Sequence, residues 1–240
     1  MAAEMSEGRT EVTYGMRLEQ AIADLERCGG VEVERRPPAP DLTPQRLELL
    51  ADPDQVCERI AAEWGVGLPD VLRPYHFAAD AYHAAWAATD GSVHGEFFLR
   101  NIYDCLVGRP HPALGEVNLP PGDRSVLATL KIFDEAPFAG EGAVAGLRMP
   151  PKGGEPQIWF YVTTRTMLHR LHLDYSTYLE TLLVTKGAFG WQYLFADVDL
   201  SAPRHHDTAE NLTAMLEVFP RSFPGHDYEP LRARLRERLG

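Results

Sequence analysis

The chain has 240 residues, 45% hydrophobic and 24% charged, which supplies a sizeable apolar core and sets intrinsic disorder aside. A formal net charge of -12 excludes a protein that grips nucleic acid through clustered Lys and Arg. Cys28, Cys57 and Cys105 form no C-x-x-C pair, and neither a basic-apolar leader nor a run of about 18 apolar residues is present, so the expected setting is the reducing cytoplasm, away from membranes.

In chain order, Leu18, Ala21, Ile22 and Leu25 recur at helical spacing within residues 16–28, and Gly29-Gly30 stops that helix. RRPPAPDLTP over residues 35–44 is proline-rich and predicts an extended linker that separates the first helix from the rest. Asp52-Pro53 opens a second helix carrying Val56, Ile60 and Trp64. YHFAADAYHAAWAAT, residues 75–89, predicts a helix rich in alanine and aromatics that ends at Asp90-Gly91.

The period then shortens. GEFFLRNIY, SVLATLKIF, AVAGLRM and PQIWFYVTT are short β-branched or aromatic runs between Gly, Pro and Asp, and connections this short favour antiparallel neighbours. Asp174 can cap a helix whose Tyr175, Tyr178, Leu179, Leu182 and Leu183 form a stripe wide enough to lie across a sheet. Asp207 with Glu210 resembles a capping box before Leu212, Met215, Leu216 and Phe219, and Pro220 ends that run. A last helix after Pro230 carries Leu231, Leu235 and Leu239 on one side. Helices, then strands, then helices predict an α+β fold with a mainly antiparallel sheet of four or more strands flanked by N- and C-terminal helices. The expected divisions are an N-terminal helix and linker at 1–44, an α+β domain at 45–200 and a helical extension at 201–240.

No phosphate loop, G-x-S-x-G elbow or H-E-x-x-H helix is present. On the predicted helix His76, Asp80 and His83 fall at i, i+4 and i+7, a shared face whose imidazoles and carboxylate suit zinc or iron. Three ligands over two turns fit one small ion only with help from elsewhere. Asp197 and Asp199, followed by His205 and His206, are a second metal or hydrolytic candidate, competing with ordinary turn and capping roles. Ser92, His94 and Glu96 have the residue types of a nucleophilic relay, which only tertiary geometry can assemble. Trp191, Tyr193 and Phe195 alternate, so a strand would send all three to one face: core if buried, an interaction patch if exposed.

WGVGLPD at Trp64, the Asp90-Gly91 turn, HGEFFL, PQIWFYV and LDYSTYLETLLVTKGAFGWQYLF together resemble the SUKH superfamily. The matching residues are Leu68-Pro69, Gly95-Glu96-Phe97, Trp159, and Tyr175 with Tyr178-Leu179, within residues 52–195. The resemblance implies a non-enzymatic protein-binding module without cofactors, in bacteria commonly an immunity protein that neutralises a toxin, often a nuclease, by occluding it. The binding residues expected on this basis are Trp191, Tyr193, Phe195, Trp159 and Glu96. An acidic chain would steer towards a basic toxin. The alternative is a metal-dependent, hydrolase-like enzyme using Asp197 and Asp199 with His205 and His206, or the face of His76, Asp80 and His83.

Overall fold

The computed structural model describes residues 12–35, 43–65, 67, 70–115, 119–138, 142–149 and 156–240. The linker residues 36–42 and the Leu68-Pro69 pair lie outside them. Helix α1 (Tyr14–Arg27) is capped by the Thr13 hydroxyl, which accepts the Met16 N–H. A turn through Gly30, whose φ of 84° favours glycine, leads to β1 (Val31–Glu34). Helices α2 (Pro44–Ala51) and α3 (Pro53–Trp64) follow, the latter capped by the Asp52 carboxylate, which accepts the N–H groups of Asp54 and Gln55. A 3-10 turn at Asp70–Tyr75 precedes β2 (Ala81–Ala88), β3 (His94–Arg100) and α4 (Ile102–Val107). Then come α5 (Pro121–Leu127), β4 (Lys131–Ala136), β5 (Ala143–Arg148), β6 (Gln157–Val162) and β7 (Met167–Arg170). The chain finishes with α6 (Tyr175–Thr185), α7 (His206–Ser222) and α8 (Glu229–Leu239).

The strands form two antiparallel sheets, β1-β2-β3 and β4-β5-β6-β7, so the fold is α+β as composition and period predict. No helix among the described residues is long and apolar enough to cross a membrane. The main core lies between the sheets and α1, α6, α7 and α8, and it includes Leu179, Leu182 and Leu183 of the α6 stripe. A smaller core of Leu119, Leu127, Leu130, Ile132, Val144 and Tyr161 covers the opposite face of the four-stranded sheet beneath α5.

Strand β3 runs alongside β4, yet side chains and a crossing loop, not a backbone ladder, join the two sheets. Phe98 N–H donates to Asp134 Oδ1 at 3.1 Å, next to a bulge in β4 between Ile132 and Asp134. On the same edge of β3, Glu96 N–H donates to Gly187 O and Phe189 N–H to His94 O, both at 2.9 Å. This close approach requires Gly95, where a Cβ would come within 2.6 Å of the Gly187 carbonyl.

Six sequence expectations are corrected. Residues 75–89 are not a helix: an irregular stretch over 76–80 leads into β2, where pairing with strands on both sides outweighs the helix preference of alanine. SVLATLKIF divides between the end of α5 and the start of β4, and GEFFLRNIY gives way to α4 where the Asn101 side chain accepts the Tyr103 N–H. Asp207 lies in the first turn of α7 without capping it, and Pro220 sits inside the last turn. The first helix does not stand apart: Tyr14, Leu18, Ile22 and Leu25 are buried in the main core, and the Tyr14 hydroxyl donates to Leu179 O at 2.9 Å.

Candidate functional site

Register decides which side chains share a face of the three-stranded sheet, because directly opposed residues in an antiparallel pair point the same way. Trp86 opposes Val33 and Gly95, while Ala84 opposes Phe97; these face the core, where Trp86 packs on Phe219 of α7 with ring centroids 5.6 Å apart. The outer face therefore carries Glu32 and Glu34 on β1, His83, Ala85 and Ala87 on β2, and His94, Glu96 and Phe98 on β3. Unlike the far face of the other sheet, it has no helix packed over it among the described residues. Alanine side chains between taller neighbours leave a trench of about 610 Å3 along β2, lined also by Phe138, which is 51% exposed.

At one end of the trench lies a buried polar pair. His83 Nε2 is 3.2 Å from Glu96 Oε1, and Glu96 Oε2 accepts the Phe138 N–H at 2.8 Å. The Phe138 ring meets His83 edge-on at 5.9 Å. Glu96 thus fixes the turn after β4 that presents Phe138 to solvent. His94, at the other end, stacks on Phe189 at 5.1 Å, and burial holds its imidazole below the ordinary histidine range. Asn211 of α7 braces this strand end: its Oδ1 accepts the His94 N–H at 2.9 Å, and its amide donates to His94 O and Phe189 O.

Behind the trench, Asp134 is the centre of the seam. Its Oδ1 takes the Phe98 N–H and its Oδ2 the Tyr178 hydroxyl at 2.7 Å, while Gln192 donates to Tyr178 at 3.3 Å. Burial pushes the Asp134 carboxyl up to about 7, overcoming the opposing pull of those hydrogen bonds. A carboxyl raised by folding contributes most stability below its unfolded value of 3.8, and that contribution drains away as pH rises through about 7. Asp134→Asn keeps an acceptor for the Phe98 N–H and removes the titration, while its amide NH2 can only donate to the Tyr178 hydroxyl oxygen, a pH-independent change. The stability of the wild type relative to this variant should therefore fall between about pH 4 and 7, by up to about 1.4 kcal/mol per pH unit. Urea denaturation of both proteins across that window measures it, and a difference that stays flat with pH would mean the carboxyl titrates normally.

The residues singled out by sequence fall in separate places. His76 Nε2 bonds to Leu50 O at 2.6 Å, Asp80 pairs with Arg46 at 2.8 Å, and His83 pairs with Glu96, so the supposed helix face does not exist. Asp197 pairs with His172 at 2.9 Å, Asp199 bonds to Ser201, His205 is buried against Tyr193, and His206 pairs with Glu210. Among the described residues no three His, Cys, Asp or Glu side chains are grouped to hold a metal ion. Ser92 is spent on the Asp90 turn, where its N–H donates to Asp90 Oδ1, and it joins no relay with His94 and Glu96.

Trp191, Tyr193 and Phe195 lie on a 3-10 turn, Trp191–Phe195, and are 1%, 0% and 4% exposed, so they are core. The alternation that suggested a strand is broken by Gly190, whose φ of 77° starts the turn. Trp159 is half-buried against the smaller core, its Nε1 donating to Gln157. Glu96 alone of these five belongs to the trench, as the residue that fixes Phe138. Glu32 and Glu34 went unnoticed, although the alternation in VEVE signals a strand with one acidic face. Ala85 and Ala87 gave no signal, because small residues matter here only through what they leave empty.

Family models, characterised proteins and solved structures offer no match to the chain.

Proposed function

We propose that this protein is a non-enzymatic binding module of the SUKH type, an immunity protein that neutralises a basic toxin by covering its working surface with the outer face of the β1-β2-β3 sheet. One observation carries the proposal: a sheet face with no helix over it among the described residues, with an alanine floor and an exposed aromatic beside it. The charge distribution agrees. Residues 1–162, which contain this sheet, hold 25 of the 35 acidic side chains but only 14 of the 23 basic ones, leaving residues 163–240 nearly neutral. An acidic field over the docking face accelerates encounter with a cationic partner. The alternative, a metal-dependent enzyme built on the His and Asp candidates, has no converging donor set to support it among the described residues.

Filling the trench tests the proposal. Ala87 is exposed, and tyrosine is well tolerated in a strand, so Ala87→Tyr should leave the melting temperature nearly unchanged while blocking the floor. The wild type, used as bait with lysate from its own host, should retain one stoichiometric partner. The purified pair should then bind at least about tenfold more weakly when Ala87→Tyr replaces the wild type. Equal binding by the variant, or turnover of a substrate by the isolated chain, would defeat the proposal.

A further inference from the structure

We infer that the trench along β2 is a seat for a cationic side chain, arginine or lysine, carried on an extended segment of a protein partner. This rests on reading the outer sheet face as the docking surface, and it specifies the chemistry that surface accepts.

The geometry is that of a long basic side chain. Neighbouring strands lie about 4.8 Å apart, so walls raised on β1 and β3 stand about 10 Å apart over β2, enough for one extended segment or one long side chain. The methyl groups of Ala85 and Ala87 offer an apolar floor to the methylene stem, which lysine and arginine bury readily while keeping the charged head wet. Glu32 and Glu34 stand exposed along one wall, two residues apart on the same face. Among the described residues neither makes an ion pair.

Several carboxylates elsewhere on the surface are, by contrast, paired, and what sets Glu32 and Glu34 apart from the unpaired remainder is their place on the wall of the trench. Glu180 is neutralised by Arg17, Asp54 by Arg73, Glu229 by Arg236, and both Glu19 and Glu26 by Arg35. Arg35 follows Glu34 directly in sequence, but strand parity sends it to the opposite face, towards α1. Among the described residues no Lys or Arg lines the trench. The exposed ring of Phe138 supplies an aromatic face for the guanidinium or ammonium group. Burial disfavours the charged form of His94, which limits any repulsion from that end of the trench.

The probe is a short capped peptide, Ala-Arg-Ala-Arg-Ala, with glutamine in place of arginine as its neutral counterpart, titrated into the 15N-labelled full chain. The arginine peptide should shift the amide signals of residues 31–34, Ala85, Ala87 and Phe138. Its affinity should fall about tenfold in Glu32→Gln/Glu34→Gln, and remain within about twofold of wild type in Glu58→Gln/Glu63→Gln, which removes the same charge from exposed positions on α3. Equal loss in both double variants, or shifts spread over the whole surface, would show a general field and overturn the seat. If the glutamine peptide binds the trench as well as the arginine peptide, and Ala87→Tyr blocks both, the cation seat fails while the docking face stands. If no peptide perturbs the trench and Ala87→Tyr leaves partner binding intact, both fail. Unfolded variants are recognised beforehand by the loss of amide dispersion.

Discussion

Deletion of residues 1–35 will abolish cooperative folding. Tyr14, Leu18, Ile22 and Leu25 are each 1% exposed or less and belong to the main core. Truncating one buried side chain of this size costs about 2–5 kcal/mol, and removing four together, about 8–20 kcal/mol, is as large as the roughly 5–15 kcal/mol that holds a typical domain folded. Polar losses add to this. Leu179 O would lose the Tyr14 hydroxyl, and β2 would lose β1. Lys186 would fare worst: its side chain is fully buried, its Nζ lies 3.4 Å from Ala21 O and 3.7 Å from Asp24, and the Phe223 ring covers it at 4.5 Å. Deleting α1 removes both of those oxygens together with the helix that covers the ammonium, so Lys186 would open to water and the packing around it would be lost. The expected result is a broad, non-sigmoidal urea curve for the truncated chain. The full-length variant Leu18→Ala should keep a sigmoidal curve shifted to lower urea. A truncated chain that melts sharply within a few degrees of wild type would show that α1 is dispensable.

Local signals in the sequence were legible where one element decides its own form. The Asp52 and Asp174 caps, the α6 stripe and the turn at Gly29-Gly30 lie where period and capping chemistry put them. Misreadings cluster where partners distant in sequence decide. Residues 81–88 have the composition of a helix, and only pairing with Val31–Glu34 and His94–Arg100 makes them a strand. That single change dismantles the His76, Asp80 and His83 face, since only His83 lies on the strand while His76 and Asp80 precede it, and in exchange creates the alanine floor of the trench. Lys186 likewise reads as an ordinary helix-ending lysine; its burial depends on α1 and α7 closing over it. A proline-rich tract shows where a chain is extended, not whether the helix before it is docked.

Trp191→Ala will destabilise the fold by about 3–5 kcal/mol, whereas Trp191→Phe will cost much less. The indole is 1% exposed, with its ring centroid 4.6 Å from Tyr178 and 6.0 Å from Phe195, so truncation opens a cavity beside the Asp134–Tyr178 hydrogen bond. Its Nε1–H, however, finds no acceptor among the described residues, and phenylalanine removes that unsatisfied donor while keeping most of the ring. Trp86 is the internal contrast. It is 4% exposed, and its Nε1–H donates to Lys186 O at 2.7 Å. Trp86→Phe therefore strands a buried carbonyl at a residue already held in the left-handed region, with a φ of 51°. Urea denaturation should rank Trp86→Phe as more destabilising than Trp191→Phe, although both exchange the same side chains in similarly buried sites. The reverse order would mean that the Trp191 indole N–H is satisfied in solution. Because Trp191 lies beneath the surface and away from the trench, the folded fraction of either Trp191 variant should bind the arginine peptide within about twofold of wild type. A specific loss of binding without unfolding would instead place the aromatic turn at the interface.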